Sequence, residues 1–117
     1  MGTTRTDLFT EKQNNLSSMF KALAHPARIA IVEHLIKSKS CINSDLVNEL
    51  GLAQATVSQH LRELKEAGII KGEIEGVRRC YCINPDTWSN IQSELNAFFS
   101  QYSANDSSEC CDEVNKN

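Results

Sequence analysis

The sequence predicts a mainly α-helical domain with one small β-hairpin, arranged as a winged helix-turn-helix with about five helices and a two-stranded wing. Two observations predict this class. The segment from Ser44 to Ala67 contains two short amphipathic helical stretches that meet at Gly51, which is the pattern of a helix-turn-helix. Two strand-like stretches follow directly, Ile69 to Ile74 and Val77 to Ile83, joined around Glu75 and Gly76.

The remaining helices are indicated by apolar spacing and by two prolines. The residue before a proline avoids helical backbone angles, so we expect one helix to end near His25 and the next to run from Pro26 to Lys37. Asn84 and Pro85 favour the start of a last helix that runs to about Tyr102. Residues 1–15 are polar and either add a first helix or fray. The apolar residues of the first two helices are Leu16, Met19, Phe20 and Leu23, then Ile29, Ile31, Val32, Leu35 and Ile36.

The second helix of the helix-turn-helix combines an apolar stripe with a polar ridge. Val57, Leu61 and Leu64 recur at helical spacing and should be buried. Polar side chains near the helix start then point outward, as in a helix that reads DNA bases. We call this set the recognition ridge: Gln54, Thr56, Ser58, Gln59 and Arg62. A solvated polar face is the alternative for any of them. His60 lies beside the buried stripe, so we expect a packing or hydrogen-bonding role for it.

Three further cations extend the predicted DNA-binding surface. Lys65 follows the ridge on the same helix, and Arg78 and Arg79 stand by the turn of the wing. A wing reaches DNA at its turn, so these arginines suit phosphate or minor-groove contact. A solvated strand edge is the alternative for both arginines.

Three runs occur in order along the chain: MFKALAHPARIAIVEHL, ELGLAQATVSQHLRELKEAGII and EGVRRCYCINP. Together they resemble the ArsR/SmtB family of bacterial winged-helix repressors, over roughly Leu16 to Tyr102. The resemblance implies a homodimer that represses an operon and, in most members, releases DNA on binding a metal or metalloid. The expected DNA partner is an operator with the form of an imperfect palindrome.

The apolar residues of the last helix fall close to heptad spacing, which favours a helix-helix seam. They are Trp88, Ile91, Leu95, Phe98, Phe99 and Tyr102. Packing within the chain's own core is the alternative. We favour dimerisation through the terminal helices, because the stripe lies outside the helix-turn-helix and would otherwise form an exposed apolar patch.

Composition fits one small regulatory domain. The chain has 117 residues and a net charge of -3, and residues 104–117 contain four acidic residues and one lysine. Residues 1–103 are therefore neutral, which predicts modest non-specific affinity for DNA. We expect residues 1–103 to form the DNA-binding and dimerisation domain and residues 104–117 a flexible acidic tail. The sequence has no membrane-spanning run and no signal peptide, so we expect a cytoplasmic protein.

The five cysteines predict free thiols rather than a disulfide framework. The sequence departs from the family's Cys-Val-Cys metal motif, because the matching positions are Ile42, Asn43 and Ser44, beside Cys41. It also departs from the zinc and nickel sensors, because the last helix offers Asp86 and Glu94 but no histidine.

The remaining candidate effector ligands are the cysteines in the C-terminal half of the chain. Cys80 and Cys82 alternate onto one face of a strand, and Cys110 and Cys111 are adjacent in the tail. Soft thiolates suit arsenic(III) or another soft metal, and adjacent residues suit tetrahedral zinc less well. Thiol oxidation or sulfur sensing is an alternative effector chemistry, and incidental cysteines are another. The fold itself should require no cofactor.

The sequence contains no Gly-rich phosphate loop and no HExxH motif, so an enzyme is not expected. A winged helix that binds a protein instead of DNA is the alternative from another functional class, and the neutral charge balance favours it slightly. Salt-dependent binding to DNA would separate the two readings.

Overall fold

A computed structural model describes residues 6–38, 46–74, 76 and 79–104 of the chain. The described residues form five α-helices and one two-stranded antiparallel sheet, preceded by a 3-10 turn at Thr6–Leu8. In chain order the elements are α1 (Glu11–Leu23), α2 (Pro26–Ser38), α3 (Leu46–Leu50), α4 (Gln54–Glu66), β1 (Ile70–Glu73), β2 (Cys80–Ile83) and α5 (Pro85–Phe99). The winged helix-turn-helix predicted from the sequence is confirmed.

Side-chain caps fix where the first and last helices begin. Thr10 and Gln13 form a reciprocal capping box, in which each backbone N–H donates to the other residue's side chain over 3.0 Å. This box starts α1 at Glu11, so part of the stretch expected to fray or to form a separate helix belongs to α1. The Asn84 side chain accepts from the N–H groups that open α5, as predicted. Regular helix in α5 ends at Phe99, before the predicted end.

The core forms where α2 and α4 cross and where β2 and α5 cover them. Its fully buried side chains are Ile31, Leu64, Ile69 and Ile70, and the other members of the cluster are Ala22, Val32, Leu35, Leu46, Val57, Leu61, Tyr81 and Ile91. The apolar face of α2 is narrower than predicted. Ile29 and Ile36 stand seven residues apart on one side of that helix and remain 43% and 48% exposed. A core this small covers one stripe of each helix and leaves apolar surface outside.

The hairpin pairs Ile70 with Ile83 and Glu73 with Cys80. Both strands are shorter than predicted, and positions 75, 77 and 78 of the wing turn, including Arg78, lie outside the described residues. Gly72 has a φ of +110°, and a Cβ there would overlap the carbonyl oxygen of Cys80. The close approach of the two strands therefore requires glycine at this position.

No helix in the described part of the chain combines the length and apolar character needed to span a membrane.

Candidate DNA-binding surface

The turn between α3 and α4 sets how the second helix is presented. Gly51 adopts a φ of +73°, and its N–H donates to the carbonyl of Val47 over 2.8 Å, which ends α3. Ala53 precedes α4 and supplies no side-chain cap. The buried side of α4 carries Val57, His60, Leu61 and Leu64. The opposite side of α4 therefore faces outward from the helix-turn-helix.

The recognition ridge lies on that outer side. Four of its members are exposed and Ser58 is half-buried. The ridge is linked by hydrogen bonds along the helix: Gln54 donates to Ser58 over 3.1 Å, and Arg62 donates to the side-chain oxygen of Gln59 over 3.2 Å. Gln59 in turn donates to a Glu63 carboxylate oxygen over 2.9 Å. These i,i+3 and i,i+4 contacts hold the side chains in an ordered row at the surface.

The base of the wing lies beside the end of the ridge. A cleft of about 450 Å³ separates them, lined by Arg62, Lys65, Glu66, Glu73 and Ile74. Lys65 is exposed, and Arg79 is half-buried just before β2. The structure thus brings two predicted cations, Arg62 and Lys65, to one groove next to the wing, where acidic side chains moderate their charge.

His60 is part of the packing beneath the ridge, which confirms the role expected for it. Its side chain is 6% exposed, and its Nδ1 accepts a hydrogen bond from Nε of Arg28 over 3.1 Å. The ring of His25 packs 4.4 Å away, centroid to centroid. Burial, His25 and Arg28 each lower the pKa of His60, and Glu63 opposes them. Sequence reasoning missed Arg28, because apolar periodicity does not report which polar side chain crosses between helices.

The predicted dimerisation residues of the last helix divide into two groups. Ile91 is 7% exposed and belongs to the chain's own core, and Trp88 and Leu95 pack partly against it. This half of the stripe therefore packs on the chain's own core, and a dimerisation role for these three residues stays a prediction. Phe98, Phe99 and Tyr102 remain outside, and Tyr102 is 69% exposed.

An aromatic cluster joins the exposed end of α5 to α1. Phe20 of α1 meets Phe98 and Phe99 edge to face, with both centroid distances at 6.3 Å, and Phe98 and Phe99 lie 5.4 Å apart. All three rings are exposed, Phe99 by 60%. Phe20, one of the apolar residues at helical spacing in the first helix, therefore lies at this surface and not in the core cluster.

Cys80 and Cys82 lie on β2 as thiols, Cys80 exposed and Cys82 half-buried. The strand register sets Cys82 opposite Lys71 and Cys80 opposite Glu73, so the four side chains share one face of the hairpin. Cys41, Cys110 and Cys111 lie outside the described residues. Within the described ranges, no three His, Cys, Asp or Glu side chains come together as metal ligands.

Comparison with known proteins agrees with this geometry. Residues 25–71 match the family described as bacterial regulatory protein, arsR family. The chain is 37% identical to the HTH-type transcriptional regulator MJ1325 of Methanocaldococcus jannaschii, over 69% of this chain and 91% of that protein. It is 34% identical to the transcriptional repressor PagR of Bacillus anthracis, over 68% and 80% of the two chains. It is also 48% identical to the HTH-type transcriptional repressor SmtB of Mycobacterium tuberculosis, over half of this chain and 42% of that protein.

Proposed function

Because the chain belongs to the arsR family of bacterial regulatory proteins, we propose that it is a DNA-binding repressor that places α4 in the major groove of an operator. The observation that carries this proposal is the recognition ridge, an exposed polar row on the outer side of a helix whose inner side is buried. The family consists of transcriptional regulators rather than enzymes. The proposed target of this chain is DNA, so we infer that the chain acts in the cytoplasm.

The ridge offers side chains suited to both bases and phosphates. Gln54 and Gln59 can pair with adenine edges, Arg62 with guanine or phosphate, and the hydroxyls of Thr56 and Ser58 with backbone oxygens. The hydrogen bonds along α4 can be exchanged for contacts with DNA at small net cost, because both sets satisfy the same donors and acceptors. Lys65, Arg78 and Arg79 would add phosphate contacts from the helix end and the wing.

We infer that two copies bind together, through α1 and α5. The support is the aromatic cluster, because three exposed rings at one surface are the kind of apolar patch that a partner covers. Leu8 and Phe9, at the start of the described chain, are exposed as well. A twofold axis through these helices would present two α4 helices to one face of DNA, and the operator would then be an imperfect palindrome.

The experiment that tests this function is binding to the DNA upstream of the protein's own gene. Fluorescence anisotropy is measured with that duplex and with a scrambled duplex of equal length, at low and at physiological salt. We expect preference for the upstream duplex and steep weakening with salt. Equal and weak binding to both duplexes would reject the proposal and favour the protein-interaction reading of the fold.

We further propose that a thiol-binding effector, arsenic(III) or another soft metal, releases the operator. Cys80 and Cys82 lie on one face of β2, and β2 leads through Asn84 directly into α5. A ligand that draws the two thiolates together would bend this strand between the wing and the proposed dimer helix, and so couple the effector to DNA binding. Cys110 or Cys111 would supply a third sulfur. Oxidation or sulfur transfer at the same thiols is the alternative trigger.

The effector is tested by adding arsenite, a polysulfide or peroxide to the protein-operator complex and measuring both DNA release and protein mass. Arsenite should release DNA from the wild type, with a mass increase of one bound arsenic per site. The Cys80→Ser, Cys82→Ser double variant should keep operator binding and lose release, while Cys41→Ser should behave as the wild type. Release by peroxide or a polysulfide, with no release by arsenite, would replace the metal proposal with the redox one.

A further inference from the structure

The side chain of Arg28 ties the buried face of α4 to the end of α1. Its Nε donates to Nδ1 of His60 over 3.1 Å. Its Nη1 donates to the carbonyl oxygens of Ala22 and Lys21 over 3.2 and 3.5 Å. These carbonyls lie in the last turn of α1, where helix carbonyls lack a donor four residues on, and the carbonyl of Lys21 also accepts from the N–H of Ala24. Arg28 therefore joins the helix that carries Phe20 of the aromatic cluster to the helix that carries the recognition ridge.

We propose that Arg28 and His60 form a proton-sensitive clamp that positions the recognition helix, so that operator binding weakens in mild acid. This inference rests on the operator binding proposed above. Only a neutral imidazole can accept from Arg28, because Nδ1 of a protonated imidazole carries a hydrogen. Protonation of His60 removes the acceptor and adds a second positive charge 3.1 Å from the guanidinium nitrogen.

The groups around His60 determine how readily it takes up a proton. His25, just before α2, packs against the His60 ring in a tilted arrangement, with the ring centroids 4.4 Å apart, and Lys21 of α1 lines the adjoining cleft of about 540 Å³. Glu63 and Glu66 line the same cleft from α4. The cleft opens to solvent at the exposed His25 ring, which gives protons a route to the cluster. Arg28 and His25 thus act on His60 against Glu63, while Lys21 and Glu66 lie on the adjoining cleft.

The pKa of His60 determines how its contribution to folding stability changes with pH. Burial, with His25 and Arg28, lowers this pKa below its ordinary value of 6.5, so the unfolded chain takes up the proton first as the pH falls. The stability that His60 contributes to the fold is fully present above pH 6.5. It declines as the pH falls from 6.5 toward the lower pKa that His60 has in the folded protein. A gain of positive charge in acid would by itself strengthen phosphate binding. The clamp predicts the opposite change.

The test compares the wild type with His60→Asn at about pH 8 and about pH 5.5, a range that spans histidine titration. Asparagine places a neutral acceptor close to the position of Nδ1 at both pH values. For the wild type we expect operator affinity to fall roughly fivefold per subunit in acid, the size of losing one hydrogen bond. His60→Asn should bind as the wild type at the higher pH and lose the acid weakening. His34→Gln, a histidine of α2 outside the cluster, should keep the wild-type profile.

Two further measurements keep the proposal testable if His60→Asn folds poorly or binding is weak. Arg28→Met should bind at high pH as weakly as the wild type does in acid, with little further change on acidification. Hydrogen exchange across α4, measured without DNA, should be faster in acid for the wild type than for His60→Asn at the same pH. The clamp is overturned if operator affinity still falls in acid for His60→Asn or Arg28→Met. It is also overturned if hydrogen exchange across α4 in acid is equally fast in the wild type and in His60→Asn. Failure of the wild type to bind the operator at high pH instead rejects the proposed function.

Discussion

Arg62 donates a hydrogen bond to the side-chain oxygen of Gln59, three residues earlier on α4, over 3.2 Å. This contact holds the guanidinium at the end of the ridge, beside the wing cleft that Arg62 also lines. We therefore expect Arg62→Ala to weaken operator binding by about 1 to 3 kcal/mol if Arg62 reads a base. Fluorescence anisotropy with the upstream duplex measures the loss. Lys12→Ala removes the same charge from an exposed position on α1 and should leave affinity nearly unchanged.

Arg62→Lys distinguishes base reading from phosphate contact. Lysine keeps the charge but cannot make the two parallel bonds that arginine makes to guanine. If Arg62 contacts a phosphate, the lysine variant should bind nearly as the wild type does. If binding stays at the wild-type level in both variants, Arg62 has no part in recognition.

Lys65 is exposed at the end of α4, facing the wing cleft. We expect it to contact one phosphate in each subunit of the proposed dimer. Lys65→Ala should then flatten the plot of log affinity against log salt by about 1.8, since each phosphate contact contributes about 0.9. Its effect should be similar on the operator and on a scrambled duplex. A loss confined to the operator, with an unchanged salt slope, would show instead that Lys65 reads sequence.

The sequence was sufficient to predict the mainly helical fold, the wing hairpin and the packing role of His60, because apolar spacing and turn residues determine these features locally. The start of α1 could not be predicted, because it depends on the reciprocal hydrogen bonds of Thr10 and Gln13 and not on the spacing of apolar residues. The spacing of α5 also could not separate Ile91 from Phe99. Both lie on one stripe, and only the packing of α5 on the rest of the fold decides which side chain is covered.

Substitutions at Ile91 and at Phe99 should therefore cause different defects. Ile91→Ala removes core volume and should lower the free energy of unfolding by about 2 to 5 kcal/mol. Phe99→Ser changes a side chain that is 60% exposed and should mainly weaken the dimer, since buried aromatic anchors contribute about 2 kcal/mol or more to an interface. Urea unfolding and sedimentation equilibrium measure the two effects. A wild type that sediments only as a monomer at micromolar concentration would reject dimerisation.

The backbone angle of Gly72 and its close contacts predict that the wing requires glycine at this position. Gly72→Ala must adopt a φ of +110° and push a Cβ against the backbone of Cys80 and Tyr81. The backbone strain of about 1 to 3 kcal/mol and an overpacking cost of about 1 to 3 kcal/mol should both lower the free energy of unfolding. Gly51→Ala is the matched control, because its φ of +73° is also unfavourable but the space around it is open. Equal losses in the two variants would mean that the hairpin can relax around the added methyl group.

Hydroxyl-radical footprinting of the operator tests most directly whether paired α4 helices bind DNA. If two recognition ridges enter successive major grooves, the wild type should protect two patches whose centres lie about 10 to 10.5 base pairs apart on one face of the duplex. Phe99→Ser should lose the paired pattern at the same protein concentration. A single protected patch for the wild type, or uniform protection along the DNA, would contradict the account.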